Sequence, residues 1–219
     1  MTLLERRSED CRFIADALMP GPYQCYLCDE EKMIGDDGLC DTCRSKIRFC
    51  PQPTYLAPLD GITVGLRYSE DISAAVMRFK KLNQKEYAAF FTQFMAVPKE
   101  WNADLLVPVP MHPFKKWLRR FNHTELIAAY LSESTGIPFS THLLFKTEFT
   151  VDQKTIRDPK LRRRNVRGSF RCDPKVKGLR IVLVDDVFTT GATVYECAKV
   201  LKQAGAEKVY LTAFTSPSR

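Results

Sequence analysis

Two adjacent carboxylates followed by a hydroxyl-rich turn occupy residues 184–193, VDDVFTTGAT. Asp185 and Asp186 can accept hydrogen bonds from ribose hydroxyls, or hold Mg²⁺ directly or through water. The backbone N–H groups and hydroxyls of Thr189, Thr190, Gly191, Ala192 and Thr193 can wrap a phosphate, and a helix opening there adds a favourable dipole. This chemistry needs a strand to deliver the acids and a helix to begin beside the glycine. Residues 180–183, RIVL, read as the end of a buried strand, and 193–204 show the apolar spacing of a helix. The plainer alternative is a threonine-capped helix after a strand that ends in aspartate. Capping needs one such residue, whereas here two acids precede TTGAT. Neither GxxxxGK[ST] nor GxGxxG occurs, which excludes a P-loop and a dinucleotide fingerprint.

A second set of ligand-bearing residues lies near the start. Cys25, Cys28, Cys40 and Cys43 form C-x2-C-x11-C-x2-C around a GDDG turn. Two thiolate knuckles at this spacing close a tetrahedral zinc site with no open position, so the metal is expected to be structural. Zn²⁺ with four thiolates carries −2, which would move the formal charge from +7 to near +5. Cys50 opens CPQPTY and reads as a packed thiol or a weak outer ligand. Cys11, Cys172 and Cys197 lack ligand spacing, and Cys197 falls on the apolar face of its helix.

The elements that must position these groups follow from periodicity. Residues 1–20 read as a short amphipathic helix, 1–58 as that helix plus a zinc-ribbon-like module ending in a Pro-rich linker, and 59–219 as the main domain. Strand signals at 62–68, 104–109, 143–146, 168–170, 181–185 and 208–214 interleave with helix signals at 71–81, 86–97, 122–135 and 193–204. That alternation predicts an α/β fold with a mostly parallel sheet flanked by helices, whose ligands bind beyond the strands' carboxyl ends. No apolar run approaches the roughly 18 residues needed to span a bilayer. No secretory leader is legible either, so a cytoplasmic location with reduced thiols is expected.

Charge is unevenly spread. From Gln153 to Arg180 eleven Lys and Arg stand against Asp158 and Asp173, so this stretch carries +9 and the remainder −2. Leading into the acidic motif, Arg162, Arg163, Arg164 and Arg167 suit a polyanion such as single-stranded DNA, the alternative being a merely solvated basic loop. Residues 107–123, VPVPMHPFKKWLRRFNH, add Lys115, Lys116 and Arg119 after Pro108 and Pro110. The two prolines either shape a ligand-facing turn or simply end an edge strand, and the cations beyond could clamp pyrophosphate.

The acidic motif resembles the PRPP-binding motif of type I phosphoribosyltransferases. Together with the thiol knuckles, Phe79-Lys80, Pro108-Val109-Pro110, Arg119-Arg120-Phe121-Asn122-His123 and Gln153…Arg162…Asn165-Val166…Gly168…Phe170, it makes the chain similar to the ComF family over about residues 25–215. Arg120 and His123 stand where the family has Gly and Gln. The resemblance implies a type I phosphoribosyltransferase-like domain with an N-terminal zinc module, acting in natural transformation on incoming single-stranded DNA with a helicase-like ATPase partner. It also implies PRPP or nucleotide binding, with Mg²⁺, by Asp185, Asp186, residues 189–193, Lys80, Pro108 and Arg119. The alternative is an active phosphoribosyltransferase on a free base. Two further readings are a PRPP-sensing regulator without an evident helix-turn-helix, and an adaptor docking through the zinc module.

Overall fold

The structure, a computed structural model, describes residues 23–51, 56–82, 86–111, 122–147, 164 and 166–217. The expected N-terminal helix at 1–20 lies outside these residues. Two compact units divide the chain, Met1–Lys46 and Ile47–Arg219.

In the first unit, β1 (Tyr23–Gln24) and β2 (Glu31–Lys32) pair antiparallel, and α1 (Asp41–Lys46) follows. The tight return between the strands places Asp29 at φ 65, held by its N–H donating to the Cys25 carbonyl at 2.9 Å. Gly38 sits at φ +75 with the Tyr26 ring 2.4 Å from where a Cβ would stand, so only glycine fits the second turn. Arg44 of α1 braces that turn with two bonds to the Asp37 carboxylate, at 2.6 and 2.8 Å.

The second unit contains β3 (Gly61–Arg67), α2 (Glu70–Leu82), α3 (Glu86–Thr92), β4 (Leu105–Pro108), α4 (His123–Thr135), β5 (Leu144–Lys146), β6 (Phe170–Cys172), β7 (Arg180–Val187), α5 (Ala192–Gln203) and β8 (Lys208–Ser216). The sheet order is β3-β8-β7-β4 and all three pairings are parallel. A parallel sheet must be covered on both faces, which explains the nearly unbroken apolar runs of β7 and β8. On one face Ile181, Leu183, Val209 and Leu211 pack with Val194, Cys197, Ala198 and Leu201 of α5 and Phe170 of β6. On the other, Phe91 of α3 stacks on Phe214 of β8 with centroids 3.9 Å apart, and Phe79 of α2 meets Phe91 edge-on at 5.2 Å.

Two local readings are corrected, the helix over 86–97 and the strand at 168–170. The helix expected to reach residue 97 ends at Thr92, because the chain must then run across β3. The Phe94 carbonyl oxygen lies 2.2 Å from where Gly65 would carry a Cβ, and the Thr63 hydroxyl donates to the Ala96 carbonyl at 2.6 Å. The strand expected at 168–170 starts at Phe170, since Gly168 turns the chain at φ +73. That strand joins β5 in an antiparallel ribbon of its own rather than the main sheet. Cys50 belongs to the larger unit's core, 9% exposed, beside a bridge between Phe49 and Leu66. None of the described helices is long and apolar enough to cross a membrane.

Candidate functional site

The carboxyl ends of β4 and β7 lie side by side, in register from Leu105–Ile181 to Pro108–Val184. Beyond Pro108 the Val109 N–H continues the ladder to the Val184 carbonyl at 2.9 Å. The Val109 carbonyl accepts from the Thr124 hydroxyl at 2.8 Å and from the Asn122 side-chain amide at 3.4 Å. The Asn122-His123-Thr124 run therefore ties the start of α4 to the end of the PVP strand, a role that spacing alone did not reveal.

After β7 the chain turns through Thr189, Thr190 and Gly191 into α5. Gly191 is the N-cap at φ 69 and makes no side-chain cap hydrogen bond. The helix therefore opens on a residue with no side chain of its own to cap the first turn. Glycine is needed twice over at 191: for its left-handed backbone, and because a Cβ would stand 2.6 Å from Leu56 and 3.1 Å from the Phe188 ring. Phe188 is fixed in turn by its N–H to the Thr215 carbonyl at 2.8 Å and by the Ser216 hydroxyl donating to its own carbonyl at 2.6 Å. A small depression forms here, lined by Asp185, Phe188, Thr189, Gly191, Ala192 and Thr193. The Thr190 hydroxyl is buried with no hydrogen-bond partner among the described residues. An oxyanion seated in the turn would supply one.

The two acids have different surroundings. Asp185 lines the depression, and its Oδ1 accepts the Asp186 N–H at 2.9 Å. Burial, then the neighbouring Asp186 charge, push the Asp185 carboxyl up to about 8. Asp186 is 6% exposed and forms an ion pair with the Lys80 ammonium of α2. Burial alone would raise its pKa, but Lys80, assisted by His123, outweighs this and holds Asp186 below the ordinary carboxylate value. His123 is 1% exposed and meets the Phe79 ring edge-on at 5.0 Å, so α2 and α4 converge on Asp186. Lys80, which the family resemblance implies as a phosphate ligand, is ion-paired with Asp186 here.

Of the basic residues singled out by charge, Arg164 and Arg167 are exposed. The turn beside them is anchored by the Gly168 N–H donating to Glu196 of α5 at 3.3 Å. Lys115, Lys116, Arg119, Arg162 and Arg163 lie outside the described residues.

In the smaller unit, the sulfurs of Cys25, Cys28, Cys40 and Cys43 all lie within 4.8 Å of one another, and Cys28 and Cys40 are 4.0 Å apart. Tetrahedral zinc with Zn–S bonds near 2.3 Å requires sulfurs about 3.8 Å apart, so the four thiols could hold a metal ion such as zinc. All four are free of disulfides. The Cys40 N–H points at the Cys25 sulfur at 3.4 Å, the backbone support a thiolate ligand uses. Burial opposes ionisation of Cys25, but the Cys40, Cys28 and Leu27 amides bring it down to about 7. Burial and the surrounding thiols instead push Cys43 far up. A divalent cation would relieve that mutual repulsion.

No protein-family model matches the chain. It is 28% identical over 222 residues to the DNA utilization protein YhgH of Salmonella typhi, spanning 86% of this chain and 94% of that protein. It is 26% identical over 217 residues to Competence protein F of Haemophilus influenzae, at 85% and 94% coverage. The chain thus has homologues named as DNA utilization and competence proteins. A further relative, Competence protein ComFC of Streptococcus pneumoniae, is 27% identical over 195 residues, covering 84% of each chain. Among solved structures, the glutamine phosphoribosylpyrophosphate amidotransferase of B. subtilis, complexed with ADP and GMP, aligns with TM-score 0.37 at 26% identity. That alignment covers 58% of this chain and 25% of the longer one.

Proposed function

We propose that this ComF-type chain handles incoming single-stranded DNA during natural transformation, with the β7–α5 turn as a ribose-phosphate site. The relatives' names, DNA utilization and competence proteins, support the process. The observation that carries the site is the Gly191-capped helix start, without a side-chain cap, beside Asp185 and the buried, partnerless Thr190 hydroxyl. In this reading residues 189–193 hold the phosphate of PRPP, a nucleotide or a 5′-phosphorylated end. Asp185 accepts a ribose hydroxyl, and Pro108 helps shape the adjoining strand end. Arg162, Arg163, Arg164 and Arg167, with Lys115 and Lys116, neutralise the DNA backbone. Zinc in the four-cysteine cluster is structural, the protein works in the cytoplasm, and a helicase-like ATPase of the competence machinery is its partner.

The enzymatic alternative, phosphoribosyl transfer from PRPP to a base, would use Lys80 and Arg119 on pyrophosphate with Mg²⁺ at the acids. The Lys80–Asp186 pair weighs against it, since that lysine is already committed.

Fluorescence anisotropy with single-stranded oligonucleotides tests the proposal, comparing 5′-phosphorylated with 5′-hydroxyl ends. Binding that falls steeply with salt, and that free ribose 5-phosphate weakens for the phosphorylated end, is the expected result. Absence of binding by the wild-type chain at low salt would remove the DNA reading.

A further inference from the structure

Resting on the ribose-phosphate reading of the β7–α5 turn, we propose that this site takes a pentose or nucleotide phosphomonoester without a divalent cation, Lys80 being the fixed cation at Asp186. The sequence expects an Mg²⁺ ion at the aspartate pair, and the geometry does not fit one. Mg²⁺ demands near-octahedral oxygen ligands and keeps several waters, so it needs carboxylates that open onto a shared, hydrated space. Asp186 is 6% exposed and already ion-paired, and the Lys80 side chain that covers it is only 19% exposed. Its neighbour Phe79 is wholly buried against Phe91 and His123, which fixes the turn of α2 from which Lys80 reaches Asp186. Displacing the ammonium would exchange a formed pair for a stranded cation. Asp185 is the acid that lines the depression, and one of its oxygens is taken by the Asp186 N–H. That leaves it suited to accept a hydroxyl proton rather than to chelate.

The charge balance points the same way. Lys80 and Asp186 cancel, so an anion in the depression meets the Thr189 and Thr193 side of the turn, the dipole at the start of α5 and a single acid. Those groups match one phosphoryl group. A pyrophosphate would ask for further cations, and Lys80, the residue expected to provide one, is engaged elsewhere.

Isothermal titration calorimetry of the full-length chain with ribose 5-phosphate tests this. Magnesium is omitted rather than chelated, so that the cysteine cluster is undisturbed. Dissociation constants with and without MgCl₂ are expected to agree within about threefold. The Lys80→Gln variant should lose about tenfold or more in magnesium-free buffer. Lys80→Gln/Asp186→Asn, which removes both charges, should recover most of that loss and guards against a simple folding defect. Binding that appears only with MgCl₂, or PRPP with MgCl₂ binding more tightly than ribose 5-phosphate, overturns the inference and leaves the ribose-phosphate site standing. No binding of either compound in either buffer overturns both.

Discussion

The Thr124 hydroxyl donates to the Val109 carbonyl across 2.8 Å, with both residues buried. One side chain thereby fixes the start of α4 against the end of the PVP strand, and so sets where His123 stands relative to Asp186. Thr124→Val keeps the shape but leaves that carbonyl reliant on the weaker bond from Asn122. The expected cost is about 1–3 kcal/mol, read from urea unfolding, with Thr124→Ser close to wild type.

Gly191→Ala should damage both stability and ligand binding. A left-handed φ costs a non-glycine residue about 1–2 kcal/mol, and the added methyl would also collide with Leu56 and Phe188. Thermal melts should show the loss, and ribose 5-phosphate titration should show weaker binding as the turn is pushed outward. Wild-type affinity in a folded Gly191→Ala variant would contradict the placement of the phosphate.

Acid should weaken the larger unit partly through Asp104. Its carboxylate accepts from the Arg180 guanidinium at 2.7 and 3.0 Å and from the Arg180 N–H at 2.8 Å. These bonds hold it at about 2, below its ordinary 3.8. A depressed carboxylate contributes stability above its unfolded pKa and loses it as pH falls through the folded value. The window is therefore about 4 down to 2, and the Asp104→Asn variant should show a flatter dependence there. The pair is partly exposed, so salt should shrink the difference.

Removing metal should affect the smaller unit selectively. Its described residues form two short strands and one helical stretch, so little apolar burial among them can replace a metal cross-link. About one zinc ion per chain is expected on thiol titration. Chelation or Cys40→Ser should raise hydrogen exchange in residues 23–46, while the amides of β7 and β8 stay protected. Full protection of residues 23–46 without metal would show that the cysteines only pack.

The sequence by itself determined what is local. The alternation of strands and helices, the strand–acid–turn–helix order at 180–204 and the four-cysteine spacing are each set within a few dozen residues by backbone periodicity, turn chemistry and ligand spacing. Tertiary structure decided what depends on groups distant along the chain meeting in space. Lys80 lies more than a hundred positions before Asp186, and the fold that packs Phe79 against Phe91 and His123 brings its ammonium to that acid. Leu56 against Gly191, and Thr124 on Val109, are likewise invisible to spacing, because no helical or strand period relates them. Where α3 stops was also beyond sequence, since the limit comes from a carbonyl passing over Gly65 and not from any breaker in the helix itself.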